Sequence, residues 1–192
     1  MADCVDLPPL VKQTSFVELE CQQLRLYLQM KKDFITFVEN MGKTEASVAT
    51  LAITKALRLL QIVIGFVKTE DGNEMAIKDN PKESALEELL EEITPHSKVL
   101  VWAVFKENYS AIRKVCEKLK INYVEVHGEI SNKEKYLNVD NFNSDANIRV
   151  FIGHPGSGGI GINLVSASYS IYYSRNFSLE ADLQSEARNY RG

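Results

Sequence analysis

Three places in this sequence put glycine, lysine or arginine at spacings that suit phosphate chemistry. Gly42-Lys43-Thr44 has the last three residues of a phosphate loop, in which backbone amides and a lysine cradle a nucleotide's phosphates. The loop's first glycine stands five positions earlier, where this chain has Phe37, and the flanks read as helix. The triplet is therefore expected to be an interhelical turn. Gly156-Ser157-Gly158-Gly159-Ile160-Gly161 contains GxGxxG, the spacing that brings a backbone close to a pyrophosphate. Four glycines in six residues call for a backbone that takes unusual angles or approaches a ligand closely. A dinucleotide site also needs a crossover helix, usually ~10–12 residues or more for the whole crossover. Only Ile162 to Ser168 precede the next strand, which ends in Ser174-Arg175-Asn176 without the acidic residue that would hold a ribose. Gln184, Arg188 and Arg191, at i, i+4 and i+7, share one helical face, with Leu179, Leu183 and Ala187 expected to turn inward. Their plain reading is a solvated basic face paired with Glu180 and Glu186; their chemical reading is a pair of guanidiniums aimed at phosphate.

Other reactive residues carry less. His96, His127 and His154 have no metal-type ligands at a recognisable spacing. Asp140 and Asp145 border a polar helix end and read as capping residues, and Trp102 lies in an apolar run and reads as core.

The elements that must position these residues follow from periodicity. Lys12 to Glu20 mixes β-branched and aromatic residues in partial alternation and predicts a strand. Between Cys21 and Val67, apolar residues at helical spacing (Leu24, Leu28; Leu57, Leu60, Ile64) predict two helices joined by a turn near Asn40 to Thr44. Lys68 to Pro81, with Asp71-Gly72-Asn73 and Asn80-Pro81, predicts a loop. From Lys82 onward helix and strand alternate. An acidic helix carries Leu86, Leu89, Leu90 and Ile93, and Lys98 to Phe105 is an apolar run suited to a buried parallel strand. A helix with Tyr109, Ile112, Cys116 and Leu119 follows, then strand 123–126, helix 133–142, strands 149–152 and 169–173, and a helix from Leu179. The fold class is therefore α/β, a mostly parallel sheet flanked by helices with a helical leader. Ligands of such sheets gather at the strands' carboxyl ends: Phe105-Lys106, His127-Gly128 and the glycine loop after Ile152.

The whole 192-residue chain, 45% hydrophobic, is long enough for one sizeable core. Its three scattered cysteines form no CxxC pair, and the simpler reading is a reducing, cytoplasmic setting. The N-terminus lacks a signal-peptide pattern, and the longest apolar run, Ala56 to Val67, is broken by Arg58 and Gln61, so no membrane role is expected. A net charge of −4 argues against binding nucleic acid by bulk electrostatics and leaves a local basic face open.

Taken in order, several segments resemble the second RecA-like lobe of Swi/Snf-related motors of the second helicase superfamily. DLPPLVKQTSFVELECQQLRLY is similar to the strand and helix entering that lobe, ALRLLQIVIGFV to its leucine-arginine helix, and NPKESALEELLEEI to the helix before its first conserved strand. KVLVWAVF resembles motif IV, YVEVHGEIS the histidine/aspartate-glycine turn, NFNSDANIRVFIGHPGSGGIGINL motif V with its strand, and QSEARNYR motif VI. The resemblance implies an interlobe linker over 1–10 and the lobe over 11–192, with a helical subregion 21–67, a loop 68–81 and the α/β core 82–192. By position it implies that Arg188 and Arg191 are catalytic arginine fingers reaching the ATP γ-phosphate. Gln184, Gly159 and Gly161 would lie on the nucleotide side, and Lys106, Gly128, Gly156, Ser157 and Asn163 along the DNA. It also implies that ATP with magnesium is bound mainly by an N-terminal RecA-like lobe, that the DNA is duplex, and that the isolated domain is monomeric.

Where many members have Ser-Thr in motif V this chain has His154-Pro155, which puts a hydroxyl contact to DNA in doubt and resembles phage and bacterial members. The sequence stops just inside motif VI and contains no phosphate loop or acidic magnesium motif, so it reads as part of a longer protein and is expected to be inactive alone. A nucleotide- or dinucleotide-binding Rossmann-type enzyme and a non-catalytic DNA-binding module stand as alternatives.

Overall fold

Strands of Val, Leu, Ile and Phe without polar alternation have two apolar faces to cover, and a central parallel sheet is where such strands are stable. A computed structural model of the chain describes residues 9–40, 46–68, 74–78, 80–156, 162–175 and 178–188. In it β3 (Lys98–Trp102), β4 (Asn122–Val126), β5 (Ile148–Gly153) and β6 (Ala167–Tyr172) form one parallel sheet in the order β4-β5-β3-β6. Val99, Leu100 and Val101 of β3 and Val150, Phe151 and Ile152 of β5 have no exposed surface, as expected of the two inner strands. Helix α3 (Pro81–Ile93) precedes β3, α4 (Lys106–Lys118) links β3 to β4, α5 (Asn132–Ser144) links β4 to β5, and α6 (Leu179–Glu186) follows β6.

The chain divides into two units. One gathers Ala85 onward with the described residues before Phe16; the other runs from Phe16 to Ser84. Within the first, Leu100, Trp102, Val124, Val126, Phe142, Phe151, Ile162, Leu164 and Ala167 make one core cluster. Phe142 and Phe151 meet edge to face at 5.4 Å. α5 opens with a capping box: the Ser131 side chain accepts from the Glu134 amide while the Glu134 carboxylate accepts from the Ser131 amide. It closes under Lys98, whose ammonium donates to the Phe142 and Asp145 carbonyls.

The second unit is a pair of helices, α1 (Cys21–Asn40) and α2 (Ala46–Ile64), followed by a hairpin of β1 (Phe66–Lys68) and β2 (Glu74–Ala76). Gln23 is buried and donates to the Ile62 and Val63 carbonyls at 2.7 and 3.1 Å, tying α1 to the last turn of α2. Gly65 breaks α2 with φ +102°, and the Asn80 side-chain amide donates to the Ile64 carbonyl at 2.8 Å.

Three expectations need correction. Residues 12–20 form no strand: no described strand pairs with them, so nothing satisfies a ladder, and Phe16 is 93% exposed. The 68–81 loop holds strand residues at Lys68 and Glu74–Ala76, a ladder too short for alternation to show. β3 stops at Trp102 and not Phe105, because the Val104 amide leaves the ladder to donate to the Ser174 hydroxyl at 2.9 Å. The two helices expected between Cys21 and Val67 are present; in them Leu24, Leu28 and Leu57 are exposed, and among the described residues Gln23, Ile62 and Ile64 are buried.

Candidate functional site

The strand order sets the carboxyl ends side by side, in the sequence His127, His154, Ala103 and Tyr173 across the sheet. Backbone bonds continue past the strands and stitch this row. The His154 amide donates to the Val126 carbonyl at 3.2 Å, Ala103 to Gly153 at 2.9 Å, and Tyr173 to Trp102 at 2.9 Å. Gly153 is required here by close approach, since a Cβ would stand 2.7 Å from Trp102 Cζ3 and 2.8 Å from Phe151 Cε1.

Lys106 opens α4 directly after this row, behind an N-cap, Phe105, that supplies no side-chain cap. Its ammonium pairs with the Glu129 carboxylate, one residue past Gly128. A Cβ at Gly128 would meet nothing within 4 Å, so its backbone faces open space. Behind the turn lies His127, 3% exposed and stacked on Tyr109 at 4.2 Å with the rings 10° apart. The Tyr109 hydroxyl donates to the Ala103 carbonyl at 3.1 Å, and burial, then Glu129 and Glu125, push its pKa above the tyrosine range, so it stays a neutral donor. His127 Nε2 lies 3.2 Å from the Glu125 carboxylate, which pairs with Arg113 at 3.1 Å; His127 Nδ1 accepts from the Glu129 amide at 3.4 Å. This cluster fixes the turn that presents Gly128, and the sequence reading missed it. Its signal was present: Glu125 and His127 alternate on one face of β4, while Tyr109 and Arg113 stand at i, i+4 on α4.

On β5's side, burial and then His127 lower the pKa of His154, which leaves it a neutral acceptor for the Gly156 amide at 2.9 Å. Lys106, Gly128 and Gly156 thus all follow carboxyl ends of the sheet. Ser157, Gly159, Gly161 and Arg191 lie outside the described residues.

The structure places Asn163 elsewhere. Its carbonyl accepts from the Asn143 side-chain amide at 2.9 Å, and Asn143 accepts from the Ser166 hydroxyl at 2.8 Å. Asn143 is in the last turn of α5, and Ser166 directly precedes β6, so this group sits by the strands' amino ends, away from Lys106. Arg188 joins the same return segment. Its side chain donates to the Ile162 carbonyl at 3.2 Å, its own carbonyl accepts from the Leu164 amide at 3.0 Å, and it is 8% exposed.

The expected faces of α6 are not the observed ones. Leu179 and Leu183 are 71% and 56% exposed, while Ala181, Ser185 and Arg188 are buried. The Tyr172 hydroxyl and Ser185 hydroxyl lie 2.8 Å apart and, with the Arg188–Ile162 bond, turn the polar side of the helix inward. Gln184 is exposed and donates to Glu180 at 3.0 Å, so it does not share the face of Arg188.

Residues 162–166 carry no helix before β6. A dinucleotide fold requires a crossover helix after its glycines, and these residues supply none of it. The comparison that decides the family covers more than half the sequence: residues 81–192 match the model of the helicase conserved C-terminal domain.

The chain belongs to the helicase conserved C-terminal domain family.

This helicase C-terminal domain is 31% identical over 121 residues to the ATP-dependent helicase fft2 of Schizosaccharomyces pombe, covering 60% of the chain and 9% of that protein. It therefore spans about a tenth of the length of that relative. Its fold is that of solved RecA-like lobes. It is similar to the C-terminal part of the Fun30 ATPase domain, at 19% identity and TM-score 0.73, over 96% of this chain and 81% of that one. It is also similar to the Sulfolobus solfataricus SWI2/SNF2 ATPase core in complex with dsDNA, at 23% identity and TM-score 0.70, over 83% and 34%.

Among the described residues no three His, Cys, Asp or Glu side chains come together as a metal site, and no helix is long and apolar enough to cross a membrane.

Proposed function

We propose that this helicase C-terminal domain is the second motor lobe of an ATP-dependent DNA translocase, supplying part of a duplex-DNA track and arginine fingers to ATP held by an N-terminal RecA-like lobe. The observation that carries the reading is the row of Lys106, Gly128 and Gly156 after three neighbouring carboxyl ends. One cation and open backbone at that edge suit the phosphates of a nucleic-acid strand, which bind through position and charge and not through base identity. The solved relative with dsDNA supports a duplex as the ligand.

The chemical part belongs to the end of the chain. Phosphoryl transfer is catalysed mainly by positioning and by charge on the transferring oxygens, and an arginine finger contributes ~10³–10⁵ in rate. In this reading Arg191 reaches the γ-phosphate, and Gly159, Gly161 and Gln184 line the nucleotide side with it. Arg188 is proposed as the second finger, and its buried bond to Ile162 gives it a further task of holding the segment that carries Asn163. Ser157 and Asn163 complete the proposed DNA-facing set, with Asn163 near the strands' amino ends and so reading a different part of the strand from Lys106. Arginine and amide donors suit phosphate oxygens and not a magnesium ion, so Mg²⁺ is assigned to the partner lobe together with ATP. The chain by itself is expected to be monomeric and to turn over no ATP. A cytoplasmic setting, and a phage or bacterial source read from His154-Pro155, belong to the same proposal.

The test is DNA-stimulated ATP turnover by the intact parent protein. Replacing Arg191 with alanine is expected to lower turnover by at least about a thousandfold while duplex binding persists. Full turnover after Arg188 and Arg191 are both replaced would end the motor reading. Binding of duplex without any turnover in the intact parent would favour a non-catalytic DNA-binding module.

A further inference from the structure

We propose that Glu129 is an internal competitor for the phosphate site at Lys106: its carboxylate occupies the ammonium in the free domain, and a nucleic-acid phosphate must exchange with it to bind. This rests on the reading that Lys106 and Gly128 meet a nucleic-acid backbone.

The pair is exposed on both sides, with 71% of the Lys106 side chain and 55% of the Glu129 side chain accessible. A surface pair of this kind contributes little to folding. Glu129 has no other assignment: among the described residues its carboxylate hydrogen-bonds only Lys106. The capping of α5 is done by Ser131 and Glu134. Its backbone, by contrast, is fixed. The Glu129 amide donates to buried His127 Nδ1, and the Ile130 amide donates to the His127 carbonyl at 3.2 Å. The turn therefore delivers a carboxylate beside the cation that follows β3 and beside the open backbone of Gly128. Bonding to Lys106 lowers the pKa of Glu129, so it is an anion at neutral pH. A phosphate arriving at Lys106 meets that like charge unless the carboxylate swings away, which its exposed side chain can do while the turn stays in place.

The exchange has a measurable ionic signature. A lysine that neutralises a phosphate releases about one condensed counterion from the DNA. If the lysine leaves a carboxylate behind, that carboxylate gathers a cation in turn, and the net release at this contact falls towards zero. Without the carboxylate the full release returns.

The experiment is binding of the full chain to a short fluorescently labelled DNA duplex, followed by anisotropy across a salt series, with a thermal melt of each variant. Glu129→Gln is expected to tighten binding by about two- to fivefold at low salt, the range of one exposed ion pair. It is also expected to steepen the slope of log K against log salt by about one. Glu91→Gln, the same charge change on an exposed residue of α3, is expected to shift affinity less and leave the slope unchanged. In a Lys106→Ala background the gain from Glu129→Gln is expected to shrink to that of Glu91→Gln. Equal gains from Glu129→Gln and Glu91→Gln, or a gain that survives loss of Lys106, overturn the competitor. Weakening by Lys106→Ala with no gain from Glu129→Gln overturns it too while leaving the DNA track standing. No binding by any variant removes the track and the competitor together.

Discussion

Arg188, proposed above as a second arginine finger, also holds a loop of the fold. A guanidinium stays charged, so burying it requires donors to be spent on protein acceptors, and the Ile162 carbonyl is one of them. Arg188→Ala is expected to destabilise the domain by about 1–3 kcal/mol, the cost of leaving a buried carbonyl unpaired, measured by urea unfolding. A variant with unchanged stability would show that this bond contributes nothing to the fold. Gly153 is the second residue whose identity is dictated by its neighbours. The methyl of Gly153→Ala would press on the Trp102 and Phe151 rings, both buried and themselves in contact edge to face at 6.0 Å. Neither ring has room to give, so a loss of about 1–3 kcal/mol is expected in the same assay. Of the cluster around His127 the sequence shows only two same-face pairs, Glu125 with His127 and Tyr109 with Arg113. Their meeting depends on β4 and α4 lying against each other, which spacing along one element does not report.

At the scale of elements, β-strands and helices of the α/β unit were readable to within a few residues, because buried parallel strands are continuous apolar runs and helices repeat every 3.6 residues. The failures have a common cause. Residues 12–20 have strand-like composition, but a strand exists only when a neighbour pairs with it, and no described strand does. Leu179 and Leu183 mark an apolar stripe on α6, yet the hydroxyl pair of Tyr172 and Ser185 and the Arg188 bond decide which side packs. In the helical unit, the turn from α2 into β1 depends on Gly65. Its φ of +102° is one that side chains other than glycine rarely adopt, and a Cβ there would stand 2.1 Å from the Asn80 side-chain nitrogen. Gly65→Ala is expected to cost about 1–3 kcal/mol and to break the Asn80 bond to Ile64. Hydrogen exchange would show it as lost protection in α2 and the hairpin, with the α/β unit's core strands unaffected.

For the whole molecule, the alkaline limit of stability follows from the core. Burial, then Glu125 and Glu117, push the Cys116 thiol up to about 12 from an ordinary 9.0. The folded state holds this proton more tightly than the unfolded chain does. The contribution is therefore complete below pH 9 and is lost as pH rises towards 12, since unfolding then lets the thiol ionise. Urea midpoints are expected to fall over that window, and Cys116→Ala is expected to make the fall shallower; an identical pH profile in the variant would refute the assignment. The sequence by itself determined the fold class, the order of strands and helices from Pro81 onward, and the segments resembling helicase motifs, because these depend on local periodicity and on glycines and arginines at fixed intervals. Only the tertiary structure decided which carboxyl ends are neighbours, that Glu129 reaches Lys106, and that Arg188 is buried against Ile162 beside Asn163. Those facts follow from strand order and from competition among side chains for partners far apart in the chain, and neither is written in the spacing of residues along it.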